Sequence, residues 1–229
     1  MMTRISILGA TGKVGQELRA LIEQAPELAL VEAISGTQQE DTVPLSEATL
    51  KDADVLIDFS TPAAVMALLD RLEGNPLPLV IGTTGFSQDQ TARLNAQAAQ
   101  RPILIGANFT KGFEAFVATA LTLAKAVPDA AITVAEVYKA AKKPTPSGTT
   151  QRLARELSAV TGHDVDLDIQ RIGDTAGITT VSFNYNVAQL RLDLSVTTRA
   201  AYAAGALEAA LWLIGHADGL YTPKDMLDH

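Results

Sequence analysis

The sequence predicts an α/β protein with a Rossmann-type doubly wound parallel sheet, followed by an α+β domain with an open mixed sheet. In the first half, short continuous apolar runs alternate with helical stretches, as in parallel strands covered on both faces. A glycine-rich turn joins the first apolar run to the first helical stretch. In the second half, three β-rich stretches follow one another closely, which is typical of hairpins and a largely antiparallel sheet.

The elements of the first half follow from these patterns. Predicted strands occupy residues 5–8, 30–34, 55–59, 79–81 and 103–105. Predicted helices occupy residues 14–25, 63–72 and 88–100. The alternation of strands and helices with short connections implies a doubly wound α/β sheet.

The second half begins with a predicted apolar helix and ends with another. The predicted elements are a helix at 112–126, a strand at 131–137, a loop at 139–146, a helix from Ser147, β stretches at 165–171, 178–185 and 189–197, a helix at 200–214 and a tail at 219–229. Ser147 is expected to cap its helix, because a serine side chain can accept a hydrogen bond from a first-turn N–H.

Composition excludes several classes of function. Hydrophobic residues make up 47% of the 229 residues and charged residues 19%, so the chain can bury a proper core. No apolar run approaches the ~20 residues of a membrane span, and the run at 5–8 is too short for a signal-peptide core. The absence of cysteine indicates a cytoplasmic protein without disulfides or thiolate metal sites. A net charge of −8 without a basic block argues against nucleic acid as a partner.

The glycine-rich turn predicts a dinucleotide site. It comprises Gly9, Ala10, Thr11, Gly12, Lys13, Val14 and Gly15. Glycines allow a tight turn and close backbone approach to a pyrophosphate, the following helix presents free N–H groups, and Lys13 adds a cation. The alternative is a glycine turn needed only for close packing of helix and strand.

The tip of the second strand favours NADPH, with NADH possible. An acid usually stands here to bind the ribose 2′-hydroxyl of NAD, but this tip has Ser35, Gly36 and Thr37. Without that carboxylate nothing repels a 2′-phosphate, and the hydroxyls can donate to it. Glu32 is expected to be an ordinary strand residue.

Three further loops are expected at the same edge of the sheet, where a doubly wound sheet forms its ligand crevice. They follow the predicted third, fourth and fifth strands at residues 58–62, 82–86 and 106–110. The cofactor-binding candidates in them are Phe59, Ser60, Gly82, Thr83, Thr84, Asn108 and Phe109.

Together with Pro-Ser-Gly-Thr at 146–149, Arg-Ile-Gly-Asp at 171–174, the apolar stretch 204–213 and Gly-Leu-Tyr at 219–221, this series resembles the 4-hydroxy-tetrahydrodipicolinate reductase (dihydrodipicolinate reductase) family of bacterial lysine biosynthesis. The resemblance runs nearly end to end. It implies a dinucleotide-binding domain at 1–109 and 200–229, a substrate-binding and oligomerisation domain at 110–199, and a homotetramer built through the sheets of the latter.

The family pattern Glu-x-His-His-x-x-Lys is changed in this chain. Residues 136–142 read Glu-Val-Tyr-Lys-Ala-Ala-Lys, so Tyr138 and Lys139 replace the histidine pair, whereas Lys142 is retained. The histidines at 163, 216 and 229 lie elsewhere in the sequence, and a further family histidine is Thr179 here.

The residues that remain suit a small dianionic substrate. Ser147, Gly148 and Thr149 at a helix start, together with Lys139 and Lys142, form a cradle for carboxylates. For the proton, Tyr138 needs a nearby cation to become a good acid, since an ordinary tyrosine has a pKa of about 10. Alternatively, Tyr138 only walls the pocket, and Lys142 or water supplies the proton.

The resemblance therefore implies an NAD(P)H-dependent reductase that converts 4-hydroxy-tetrahydrodipicolinate to tetrahydrodipicolinate. Because the histidine pair is missing, one alternative is a paralogue that reduces another anionic cyclic imine or ene-imine. A second alternative is a non-catalytic NADP(H)-binding regulator. Retention of Lys142 and of the turn at 146–149 argues against the regulator.

Overall fold

A computed structural model of the chain describes residues 2–37, 39–141, 143, 145–173, 177–198 and 200–228. The chain forms two compact units: Met1–Lys111 with Arg199–His229, and Gly112–Thr198. The chain thus leaves the first unit once and returns to it with its C-terminal segment.

The described elements alternate as expected in the first half. The strands are β1 (Thr3–Leu8), β2 (Leu28–Ile34), β3 (Val55–Asp58), β4 (Leu79–Ile81), β5 (Pro102–Ile105), β6 (Ala131–Tyr138), β7 (Asp166–Arg171), β8 (Gly177–Asn184), β9 (Gln189–Val196) and β10 (Gly219–Tyr221). The helices are α1 (Lys13–Gln24), α2 (Pro62–Arg71), α3 (Gln88–Gln97), α4 (Phe113–Ala126), α5 (Gly148–Thr161) and α6 (Ala200–Leu213), and a 3₁₀ helix covers Pro223–Asp228.

A six-stranded sheet of order β10-β5-β4-β3-β1-β2 forms the first unit, and every neighbouring pair in it is parallel. Helices α1 and α6 cover one face, and their Leu18 and Leu213 belong to the same buried apolar cluster as Ile7 and Ile57 of the sheet. Helices α2 and α3 cover the other face. The predicted doubly wound sheet is confirmed, and β10 extends it within a segment that we expected to be only a tail.

The connections place a switch point at β1. From β1 the chain runs through α1 to β2 on one side, and it then returns to β3 on the other side of β1. In such sheets the crevice outside the carboxyl ends of these central strands is where ligands bind.

The second unit is a four-stranded sheet of order β7-β6-β8-β9, covered on one face by α4 and α5. Strands β6 and β7 are parallel, whereas the other pairs are antiparallel, so the predicted mixed sheet is confirmed. The expected hairpin between the stretches at 165–171 and 178–185 is wrong. Because α5 is a crossover from β6 to β7, β7 pairs with one edge of β6 and β8 with the other.

Helix α6 packs unusually close to the loop that follows β5. A Cβ atom on Gly205 would lie 1.6 Å from the carbonyl oxygen of Phe109. Only glycine allows this approach, so α6 and the loop that carries Asn108 and Phe109 are positioned against each other by contact between backbones.

Replacing Gly205 by alanine should therefore lower the free energy of unfolding by about 2 kcal/mol or more, because the new methyl group must push two backbone segments apart. Urea denaturation measures the effect. The control is Ala204→Gly, which removes helix propensity worth about 1 kcal/mol without adding an atom. If Gly205→Ala is as stable as the wild type, the close contact does not exist.

Candidate active site

Strands β1 and β3 end in direct backbone contact. Gly9 has a φ of +87°, and a Cβ atom there would lie 2.4 Å from the carbonyl oxygen of Phe59. A Cβ on Gly15 would lie 2.3 Å from the carbonyl oxygen of Gly9. The turn predicted to bind a pyrophosphate is therefore compact, and these two positions require glycine for packing as well.

The N-terminus of α1 opens onto the crevice. Its N-cap residue is Gly12, which provides no side-chain cap, and the first turn contains no acidic residue. Lys13 is exposed, and Val14 packs partly into the core. Uncapped first-turn N–H groups with an adjacent cation fit the pyrophosphate of a dinucleotide.

An aromatic pair supports the next loops. The Phe59 ring fills the space beside Gly82, where a Cβ atom would lie 2.3 Å from ring carbon Cε1. The rings of Phe59 and Phe109 meet edge to face, with centroids 5.8 Å apart. Phe109 is buried, so its ring supports the crevice from beneath.

Other predicted cofactor residues differ in their exposure. Thr84 is exposed and Asn108 half-buried, and Asn108 Oδ1 accepts a hydrogen bond of 2.9 Å from Thr110 N. Ala10 and Thr83 are buried. Thus Thr84 and Asn108 can reach a ligand, whereas the side chains of Ala10 and Thr83 shape the loops.

At the tip of β2, the side chain of Ser35 is used internally. Its hydroxyl shares a 2.7 Å hydrogen bond with Thr11 Oγ1 and accepts one of 3.0 Å from Thr37 N. Gly36 and Thr37 are exposed. Glu32 holds residues 49 and 50 through their N–H groups, as expected of a structural residue.

Asp58, the last residue of β3, is a buried carboxylate beneath the crevice. Its Oδ1 accepts hydrogen bonds from both the N–H and the hydroxyl of Ser60, and its Oδ2 has no partner among the described residues. Burial raises the pKa of Asp58 from 3.8 to about 6, although the hydrogen bonds from Ser60 oppose the shift. In the sequence this carboxylate is marked only by its place near the end of a predicted strand.

In the second unit, Ser147 caps α5 as predicted, accepting a hydrogen bond of 3.2 Å from Thr150 N. Ser147 is buried, and its own N–H donates to Glu136 Oε1 at 3.0 Å. Its hydroxyl and amide therefore shape the turn. The first helical residues, exposed Gly148 and half-buried Thr149, follow at the start of α5.

Glu136 is the anchor of this turn. It is fully buried, accepts from Thr150 Oγ1 and pairs with the Arg171 guanidinium at 2.6 Å. Burial alone would raise the pKa of Glu136, but hydrogen bonds from Ser147, Thr150 and Arg171 outweigh it and hold the pKa below its usual value. We did not assign this role from the sequence, although the acid stands two residues before Tyr138 on the same face of β6.

Tyr138 ends β6 with its ring held in place. A Cβ atom on Gly177 would lie 2.4 Å from ring carbon Cε1, and the Arg171 guanidinium carbon lies 5.7 Å from the ring centroid. Arg171 thus contacts both Glu136 and Tyr138, linking the helix turn to the predicted acid.

The lysines of the loop are only partly described. Lys139 is half-buried, whereas Lys142, a predicted catalytic residue, lies outside the described residues.

Thr179, where the family has a histidine, is buried opposite Glu136 in the sheet register. His163 follows the C-terminus of α5, about 20 Å along the helix from Ser147. His216 belongs to the first unit, where it stacks on Trp212.

Two negative findings concern the described part of the chain. No group of three or more His, Asp or Glu side chains in it is arranged to hold a metal ion. None of its helices has the length and apolar character needed to cross a membrane.

Both units of the chain are similar to known proteins. The family pattern "Dihydrodipicolinate reductase, N-terminus" matches residues 3–109, and "Dihydrodipicolinate reductase, C-terminus" matches residues 112–227. The 4-hydroxy-tetrahydrodipicolinate reductases of Helicobacter hepaticus and Wolinella succinogenes are 31% and 32% identical to this chain. Each alignment covers 99% of this chain and, respectively, 100% and 99% of the relative.

Solved structures share the fold. A dipicolinate-bound dihydrodipicolinate reductase from Paenisporosarcina sp. TG-14 superposes with a TM-score of 0.79 at 20% identity, covering 97% of this chain and 98% of its own. Aspartate semialdehyde dehydrogenase II from Vibrio cholerae superposes with a TM-score of 0.58 at 10% identity, covering 93% and 99%.

The buried carboxylate predicts a specific pH dependence of stability. Because the pKa of Asp58 is raised in the folded protein, its contribution to stability is complete below pH 3.8 and is lost as the pH rises through about 6. Relative to the wild type, Asp58→Asn should gain about 2 kcal/mol of unfolding free energy between pH 4 and pH 7. Urea denaturation across this range measures the difference, and parallel curves for the two proteins would contradict the burial of an ionised Asp58.

Proposed function

Because the chain belongs to the dihydrodipicolinate reductase family, whose members are NADPH- or NADH-dependent oxidoreductases, we propose that it reduces 4-hydroxy-tetrahydrodipicolinate to tetrahydrodipicolinate in the diaminopimelate route to lysine. The observation that carries this proposal is the turn at the start of α5, where the buried Glu136 accepts a hydrogen bond from Ser147 N. Such a turn suits a small substrate with two carboxylates.

The first unit holds the dinucleotide. The N–H groups at the start of α1 and the Lys13 cation bind the pyrophosphate, and the loops after β3, β4 and β5 hold the nicotinamide half. Gly36 and Thr37 receive the 2′-phosphate, so NADPH is preferred and NADH is accepted. Ser35 acts by shaping this loop, since its hydroxyl is bonded to Thr11. When bound, the reduced dinucleotide supplies a hydride.

The second unit holds the substrate. Gly148 and Thr149 occupy the first helical positions, where N–H groups have no acceptor within the helix. Together with the positive end of the helix dipole and the cations of Lys139 and Lys142, they bind the carboxylates. Glu136 neutralises Arg171 beneath the turn, so the lysines provide the net positive charge for the substrate.

Tyr138 delivers the proton that completes the reduction. The hydride adds to one carbon of the conjugated C=C–C=N unit, and the phenol protonates the carbon of the resulting enamine. The guanidinium of Arg171, 5.7 Å from the ring centroid, holds the ring by a cation–π contact. The packing of the ring against Gly177 holds the hydroxyl in one direction.

The protein acts as a cytoplasmic homo-oligomer, a tetramer by its resemblance to the family. The face of the second sheet away from α4 and α5 carries the polar side chains of Thr180, Ser182, Arg191 and Asp193, with a hydrogen bond from Thr180 to Asp193. Such a face is suited to pairing with a second copy. The regulator alternative is set aside, since the family is one of reductases.

Steady-state turnover tests the substrate. With freshly generated 4-hydroxy-tetrahydrodipicolinate, we expect kcat/KM above about 10⁴ M⁻¹s⁻¹ with NADPH, an ordinary enzyme value, and a lower value with NADH. Loss of reduced-nicotinamide absorbance follows the reaction. Binding of NADPH with negligible turnover would favour the paralogue that reduces another anionic cyclic imine.

Replacing Tyr138 by phenylalanine tests the proton donor. The ring stays in place but cannot donate, so kcat should fall by about 100-fold with little change in KM for NADPH. The matched control is Tyr185→Phe in the same unit, whose buried hydroxyl has no partner among the described residues. An unchanged kcat in Tyr138→Phe would transfer the role to Lys142 or water.

A further inference from the structure

The loop after β3 has an unusual arrangement of hydrogen-bond donors. Ser60 N donates to Asp58 Oδ1 and to Thr83 Oγ1, at 3.0 Å in each case. The Ser60 hydroxyl also donates to Asp58 Oδ1. Asp58 is fully buried, with Leu8 and Ile81 as its register neighbours on β1 and β4, so neither strand places a charge opposite it.

These bonds use both donors of Ser60. A serine hydroxyl has one hydrogen and two lone pairs, and an ionised carboxylate can only accept. With its hydrogen directed at Asp58, the half-buried Ser60 oxygen offers only lone pairs to the crevice. This position therefore repels a phosphate and attracts a group that donates.

The two parts of the crevice thus have opposite hydrogen-bonding character. At the end of β1, the uncapped start of α1 offers N–H donors, which suit a phosphate. At the end of β3, Ser60 offers an acceptor. A reduced dinucleotide has matching chemistry, because its pyrophosphate accepts while its ribose hydroxyls and carboxamide donate.

We propose that Asp58 is a positioning residue that holds Ser60 as a hydrogen-bond acceptor for a donor group on the nicotinamide half of the dinucleotide, a ribose hydroxyl or the carboxamide NH₂. The proposal rests on the proposed function, since it requires the dinucleotide in this crevice. The proposal also fixes the orientation of the dinucleotide, with its phosphates at the start of α1 and its donor groups beside Ser60. The Oδ2 of Asp58 is buried without a partner among the described residues, which lowers the stability of the fold. Such a cost is expected of a residue that is retained to position Ser60 for binding.

Calorimetric titration of three ligands into the whole protein tests the proposal without turnover. The ligands are NADPH, 2′-phospho-ADP-ribose, which lacks only the nicotinamide, and adenosine 2′,5′-bisphosphate, which lacks the whole nicotinamide half. Ser60→Ala should weaken NADPH binding about five- to tenfold, the effect of one lost hydrogen bond, and leave adenosine 2′,5′-bisphosphate unchanged. The control is Ser46→Ala, at an exposed serine of the same unit.

Binding of 2′-phospho-ADP-ribose identifies the group of the dinucleotide that donates to Ser60. Weaker binding of 2′-phospho-ADP-ribose to Ser60→Ala assigns the contact to a ribose hydroxyl, whereas unchanged binding assigns it to the carboxamide. Unchanged affinity for NADPH in Ser60→Ala would overturn the inference and leave the proposed function standing. Absence of NADPH binding by the wild type would overturn both.

Asp58→Ala and Asp58→Asn together separate positioning from a structural role. Alanine removes the acceptor that holds the hydroxyl hydrogen of Ser60, so NADPH binding should weaken, whereas the Oδ1 of asparagine can still accept from both donors of Ser60 and should keep the affinity near that of the wild type. If Asp58→Ala is less stable and binds all three ligands as the wild type does, Asp58 serves only the fold.

Discussion

The fold of the first unit depends on close backbone contact where β1 and β3 end. Gly9 and Gly15 leave no room for a Cβ atom, and the Phe59 ring takes the space beside Gly82. This contact brings the start of α1, the loop after β3 and the loop after β4 to one edge of the sheet. The crevice is therefore a consequence of packing: the glycines that the chain needs to close the switch point are the same ones that allow a ligand to approach the backbone.

Asp58 and Glu136 show how partners decide the charge state of a buried carboxylate. Glu136 receives hydrogen bonds from Ser147 and Thr150 and a guanidinium from Arg171, and its pKa stays below the usual value. Asp58 is bonded to neutral groups, and no cation of the described residues offsets its burial, so its pKa rises to about 6. In the second unit the carboxylate is a permanent anchor for the helix turn. In the first unit it costs stability at neutral pH, which is the pattern expected of a group kept for function.

Much of the fold follows from the sequence because apolar runs and glycine turns act locally. The strands around Ile7 and Ile57 and the cap at Ser147 were predicted for the physical reasons that the structure confirms. The partner of β7 could not be predicted in this way, because pairing with β6 depends on the crossover through α5 rather than on the short connection to β8. The internal roles of Ser35, Thr83 and Arg171 were also missed, since a sequence shows which side chains have hydrogen-bonding groups but not which neighbours use them.

The central claim is that a chain with Tyr138 and Lys139 in place of the family's histidine pair still reduces the family's substrate. Growth of a bacterial strain that lacks its own 4-hydroxy-tetrahydrodipicolinate reductase tests this claim most directly. Expression of this chain should restore growth without added diaminopimelate. Failure to restore growth, by a protein that accumulates in folded form and binds NADPH, would contradict the claim and assign the site to a different substrate.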